Sequence, residues 1–229
     1  MTGGARFVIF QFGLLHGFMS TIVIVKKGGE AAIAADTQTT SGGTKIFAGL
    51  KTRKEKILRF QDTYLGFVGY SVHQSVFQSV MEKHPGELSF RSQRHIFETF
   101  LALHPILKEK FYVNPKEDDD SGAYESSQMN IVLANPHGIF SVSPDRHVME
   151  VEKFWATGSG SEYALGAMWQ AYESTATAQE IAIAGVRAAS EFDLYSSLPY
   201  TVHTVSLRVS AANGAGESCV VDLPAMRAA

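Results

Sequence analysis

Strands and helices are predicted to fall in blocks along this chain rather than one after the other. From Ser20 the order is several strands, two helical stretches, more strands, two more helical stretches, and closing strands. A doubly wound parallel sheet needs single alternation, because every parallel strand is reached through a crossover helix. Blocks fit an α+β architecture instead: two mainly antiparallel sheets in a four-layer αββα sandwich, with helix pairs outside.

The individual signals are local. "STIVIVKK" is a β-branched run, Gly28-Gly29 is a hairpin turn, and "EAAIAAD" is the returning strand. "TQTTSGGTK" reads as loop. "KILRF" and "YLGFVG" read as strands joined at Gln61-Asp62. Helices are expected over Val72 to Lys83, stopped by "HPG", and over Ser92 to Phe111. After the loop "NPKEDDDSGAYESS" come strands "QMNIVLAN" and "GIFSVS", then short strands around Val148 and Phe154. "ATGSGSEYALGAMWQAYE" leads into the second helix pair. The last helix, roughly Ala178 to Leu194, opens with Thr177 and Glu180 spaced as a capping box. "HTVSLRVS" and "ESCVVDL" close the pattern. With no repeat or linker, residues 20–229 read as one domain.

Composition removes several function classes. A net charge of −3 gives no general basic footprint, so nucleic acid is not an expected partner. Cys219 is the lone cysteine, so no intrachain disulfide points to an oxidising compartment, and cytoplasmic location is expected. No Cys or His spacing suits zinc, and no apolar run has the ~20 residues of a membrane span. No cofactor is expected. Met1 to Met19 has a weak n-region and no A-x-A-like site, so it reads as a removable propeptide or an early start rather than an export signal.

Ser20 carries the candidate chemistry. If the chain began there, its α-amine, with an ordinary pKa near 8, could act through a water as general base for its own hydroxyl. A cationic neighbour would lower that pKa further. On the Met19-Ser20 junction alone, Ser20 reads as a strand start.

"STIVIVKKGGEAAIAADTQTT" resembles the opening of proteasome β-type subunits, most of all the bacterial HslV branch, in which a nucleophilic Thr is followed sixteen residues later by an Asp. Ser20 and Asp36 have that spacing. "KILRF" supplies the family lysine as Lys56, "LGFVGYS" supplies Gly69, and "TGSGSEYALGAM" matches the family G-S-G-x-x-Y-A. The resemblance extends to about Leu223. It implies an N-terminal-nucleophile hydrolase fold and roles for matching residues. Ser20 would attack the peptide carbonyl, Lys56 would be the cation beside it, and Asp36 would pair with Lys56. Ser159 would bond the α-amine, and the Gly69 amide would be the oxyanion donor. Thr40 would dock substrate as an added strand, while Phe67, with Thr39 and Leu58, would shape the first specificity pocket.

Several positions depart from the family. The nucleophile is Ser in place of Thr. The stretch from Asp36 to Lys56 is about four residues longer, which leaves Lys51 and Lys54 as rivals to Lys56. The Asp that the family places near the end of the last long helix is matched in register by Glu191, with Asp193 nearby as the alternative. The acidic run Glu117 to Asp120 reads most simply as a solvated loop; in the ring architecture that the resemblance implies, it would lie near an inner pore and favour basic or neutral segments. This run and the Ser nucleophile suggest the betaproteobacterial proteasome homologue branch. His203, on an expected strand, reads as a packed or surface residue.

The resemblance implies a self-compartmentalising endopeptidase that forms homo-oligomeric stacked rings and acts on peptides or unfolded proteins. It leaves open whether an ATP-dependent unfoldase docks on them. Two other readings remain: a silent cage in which Ser20 is never exposed as a terminus, and a non-peptidase amidohydrolase with the same nucleophile.

Overall fold

The computed structural model describes residues 19–41, 43–52, 54–115 and 123–208. The expected strand "ESCVVDL" with Cys219, the acidic run Glu117 to Asp120, and Met1 to Phe18 lie outside the described residues.

The first block is the expected hairpin. β1 (Thr21–Lys27) pairs antiparallel with β2 (Glu30–Asp36), and Lys27 faces Glu30 across the Gly28-Gly29 turn. Next, β3 (Thr39–Ser41) pairs with β4 (Thr44–Ile46). This corrects the loop expected over "TQTTSGGTK": the three-residue strands Thr-Thr-Ser and Thr-Lys-Ile are too short to show an apolar alternation. β5 (Ile57–Phe60) and β6 (Thr63–Gly69) turn at Gln61-Asp62. The first helix pair is α1 (Val72–Lys83) and α2 (Gln93–Lys110), the latter capped by the Ser92 side chain.

The second half repeats the plan with β7 (Met129–Asn135), β8 (Gly138–Val142), β9 (Val148–Val151) and β10 (Phe154–Gly158). α3 (Ser161–Tyr172) and α4 (Ala178–Phe192) follow, then β11 (Tyr200–Ser206). The capping box at α4 forms as the sequence indicates: the Thr177 amide donates to Glu180 at 2.8 Å, and the Glu180 amide donates to Thr177 Oγ1 at 3.2 Å. β11 starts three residues ahead of "HTVSLRVS", because Tyr200 to Ser206 matches β2 residue for residue.

Two larger antiparallel sheets result beside the β3–β4 hairpin, ordered β10-β1-β2-β11 and β5-β6-β7-β8-β9. Strand alternation then builds three apolar layers. Ile22, Ile24 and Ile33 face Val68, Val132 and Ile139 between the sheets. Val23, Val25 and Ala34 pack outward under Ile181, Val186 and Met168 of α3 and α4. Leu65, Phe67 and Leu133 pack under Phe77, Phe100 and Leu103 of α1 and α2. The αββα order is the one expected from block alternation. Among the described residues no helix is long and apolar enough to cross a membrane.

Candidate active site

Three backbone features converge at one end of the sandwich. β1 begins there, β2 ends there at Asp36, and β10 ends there at Gly158. β1 and β2 are antiparallel neighbours, so the first residue of one and the last of the other share an edge. That geometry gives the sixteen-residue Ser20–Asp36 spacing its physical meaning.

Asp36 is fully buried and well provided with donors. The Thr21 amide donates to Oδ1 at 2.9 Å, and the Gln38 and Ser197 amides donate to Oδ2 at 2.8 and 3.3 Å. Lys56, just before β5, reaches across from the other sheet. Its Nζ donates to Asp36 Oδ1 at 2.6 Å and to Ser20 Oγ at 2.9 Å. Burial pulls the Lys56 ammonium below its ordinary range; Asp36 works against that, and the charge of Lys51 adds to the lowering.

Lys51 is not the lysine on Ser20. Its Nζ donates to the Thr37 carbonyl at 2.8 Å and to Thr39 Oγ1 at 2.7 Å, in the wall beside the site. Lys54 is exposed on the same rim.

The G-S-G stretch is required by close approach. A Cβ on Gly158 would sit 1.9 Å from the Ser20 carbonyl oxygen, and one on Gly160 would sit 2.3 Å from Thr21 Oγ1. Ser159 between them donates to Asp193 Oδ2 at 2.7 Å, with its Oγ 3.4 Å from the Ser20 carbonyl oxygen. Ser196 Oγ donates to the same Asp193 oxygen at 2.6 Å and lies 2.7 Å from Thr21 Oγ1.

Asp193, the C-cap of α4, is therefore the acid in this network. Glu191, the in-register candidate, is exposed on the last turn of α4, two residues before Asp193, while Ser159 and Ser196 both donate to Asp193. Ser196 and Thr21 were not anticipated. Neither sits in a motif, and "SS" after a helix gives no signal that one hydroxyl is buried.

A cleft of about 400 Å³ opens beside Ser20, and Thr39, Thr40, Phe67, Gly69 and Tyr70 are among its lining residues. Thr40 lies on β3, whose second edge carries no strand among the described residues. Leu58 does not line this cleft and faces an adjacent hollow with Met81. Gly69 ends β6 with φ +152, where a Cβ would meet His73 Nδ1 at 2.9 Å and the Gln128 carbonyl at 3.1 Å. His203 packs as expected, stacked on Tyr64 at 4.7 Å.

Met19 precedes this cluster and lines the cleft with it. Ser20 Oγ donates to the Met19 carbonyl, and the Ser20 nitrogen is an amide rather than an amine. With Met19 attached, the hydroxyl is turned back on its own chain and has no neutral amine beside it.

No family model matches the sequence. HslV from Trypanosoma brucei overlays with a TM-score of 0.62 at 21% identity, covering 81% of this chain and 99% of that one. The ATP-dependent protease subunit HslV of Roseobacter denitrificans is 27% identical over 206 residues, spanning 86% of this chain and 97% of its own. The fold is thus that of the proteasome and HslV class of peptidases. The BPH of Thiobacillus denitrificans, also solved in complex with epoxomicin, is 40% identical with a TM-score of 0.77, over 82% of this chain and 98% of that one. The chain belongs to this family, the betaproteobacterial proteasome homologues.

Proposed function

We propose that the protein is an endopeptidase whose nucleophile is Ser20, acting once Met1 to Met19 has been removed and residues 20–229 form the working domain. The observation that carries this reading is the position of Lys56 Nζ, 2.9 Å from Ser20 Oγ and 2.6 Å from Asp36 Oδ1.

Removal of Met19 turns the Ser20 amide into an amine and takes away the carbonyl that holds Oγ. The neutral amine accepts the hydroxyl proton through a water, and Oγ attacks the substrate carbonyl. The Gly69 amide donates to the oxygen as it gains charge. The tetrahedral adduct collapses, the peptide C–N bond breaks, and the proton passes to the leaving nitrogen. Water then hydrolyses the Ser20 ester and restores the hydroxyl. Lys56 stays charged against Asp36 and stabilises the hydroxyl as its proton leaves, while the Ser159–Asp193–Ser196 chain fixes the backbone of Ser20 and Thr21. No residue in this scheme calls for a metal or organic cofactor.

Thr40 on the open edge of β3 supports substrate binding as an added strand, with Thr39 and Phe67 beside the first specificity pocket. The kinship with BPH supports assembly into stacked homo-oligomeric rings acting on peptides or unfolded proteins in the cytoplasm. The kinship with the ATP-dependent protease subunit HslV supports an ATP-dependent unfoldase as a partner of those rings.

The test is turnover of fluorogenic peptides by chain beginning at Ser20, with Ser20→Ala as control and epoxomicin as probe. Turnover lost in Ser20→Ala and blocked by epoxomicin supports the reading; equal turnover in both proteins overturns it.

A further inference from the structure

We infer that the cleft selects an acidic side chain at the residue whose carbonyl Ser20 attacks, with Lys51 as the determinant; this rests on the reading of Ser20 as nucleophile. The charged residues lining the cleft are Lys51, Lys54, Glu55 and Lys56. Of the three lysines, one is already committed. Lys56 is paired with Asp36 at 2.6 Å. The Glu55 carboxylate lies 3.4 Å from His203 Nε2, and His203 does not line the cleft. Among the described residues, Lys51 and Lys54 then outnumber the half-exposed Glu55 on the substrate side.

Lys51 is held differently from a solvated lysine. Its two acceptors, the Thr37 carbonyl and Thr39 Oγ1, are neutral, so they fix its position without cancelling its charge. An ammonium has three donors, which leaves one for an incoming acceptor. Burial lowers its pKa, so its charge is partly desolvated and gains by meeting an anion. Thr39, which Lys51 contacts, and Phe67 line the same cleft, so it offers the carbon chain of a glutamate an apolar surface as well as a cation. The same arrangement rejects Lys and Arg by like charge.

The experiment compares peptides that differ only in the residue before the scissile bond, Glu, Leu or Arg, using full chain beginning at Ser20. The expected kcat/KM for Glu exceeds that for Arg by about tenfold or more, mostly through KM, and the gap narrows in high salt. Lys51→Glu should reverse the Glu-to-Arg order; because the readout is a ratio, it survives a general loss of activity. If Lys51→Glu does not fold, Lys54→Glu should shift the ratio the same way, and the unsubstituted series decides alone. Leu or Arg preferred by the unsubstituted protein, with Ser20→Ala inactive, overturns this inference and leaves the nucleophile intact. Activity retained in Ser20→Ala, or cleavage of no peptide, overturns both.

Discussion

Lys56 and Asp36 form a buried ion pair at 2.6 Å whose two halves depend on each other unequally. Asp36 keeps three backbone amide donors if Lys56 is removed, whereas Lys56 loses its ion-pair partner, and those amides their acceptor, if Asp36 is removed. Asp36→Ala is therefore expected to cost about 3–5 kcal/mol, the range for breaking a buried pair. Lys56→Met is expected to cost less, about 1–3 kcal/mol. Urea unfolding of the two variants checks the order. Both should lower peptide turnover by about a thousandfold or more, since each disturbs the groups around the nucleophile.

Gly69→Ala tests the oxyanion donor. The positive φ and the 2.9 Å approach to His73 Nδ1 leave no room for a methyl group without moving the backbone. A fall in kcat of about 10²–10³ is expected, with KM changing far less. Stability should drop by about 1–3 kcal/mol. A variant with unaltered kcat would show that this amide is not the donor.

His73 gives the fold a pH dependence with a definite sign. Burial pushes its pKa from 6.5 down to about 4. Between those values the unfolded chain binds the proton and the folded chain does not, so stability rises with pH across the window. The contribution is full above about pH 6.5 and is lost as pH falls through about 4, on the order of a few kcal/mol. Urea midpoints at pH 4.5 and 7.5 should differ more for the unsubstituted protein than for His73→Asn. Equal differences would show that His73 titrates normally.

Asp193 and Glu191 separate cleanly by mutation. Asp193→Ala removes the acceptor of both Ser159 and Ser196 and should lower kcat/KM by about 10–100-fold through misplacement of Ser20. Glu191→Ala changes an exposed residue, so stability should stay within about 0.5 kcal/mol and kcat/KM close to that of the unsubstituted protein. Steady-state kinetics on both variants gives the comparison.

Much of this was legible because it follows from periodicity and spacing. The long strands, both helix pairs and the Thr177–Glu180 cap are local patterns, and the block order fixed the layer plan. Ser20, Asp36, Lys56 and the G-S-G stretch were legible through the resemblance to proteasome β-type subunits, and the structure brings them together. What stayed hidden was three-dimensional. The β3–β4 hairpin, with Ile46 as its single apolar residue, is too short for a pattern to signal it. Asp193 and Glu191 differ by two residues on a helix end, and only the direction of the last turn separates them. Ser196 becomes a partner of Thr21 only because the chain after α4 folds back to meet the start of β1. Lys51 was weighed as a rival for the Lys56 role, yet its hydrogen bonds place it in the cleft wall.

The central claim is that Ser20 becomes the first residue and acts as nucleophile. The most direct measurement is the intact mass and N-terminal sequence of natively expressed protein, taken from the same sample assayed for peptide turnover. The account predicts a chain that begins at Ser20 and cleaves peptides. An active chain still carrying Met19 would contradict it, because there the Ser20 nitrogen is an amide and its hydroxyl is bound to the Met19 carbonyl.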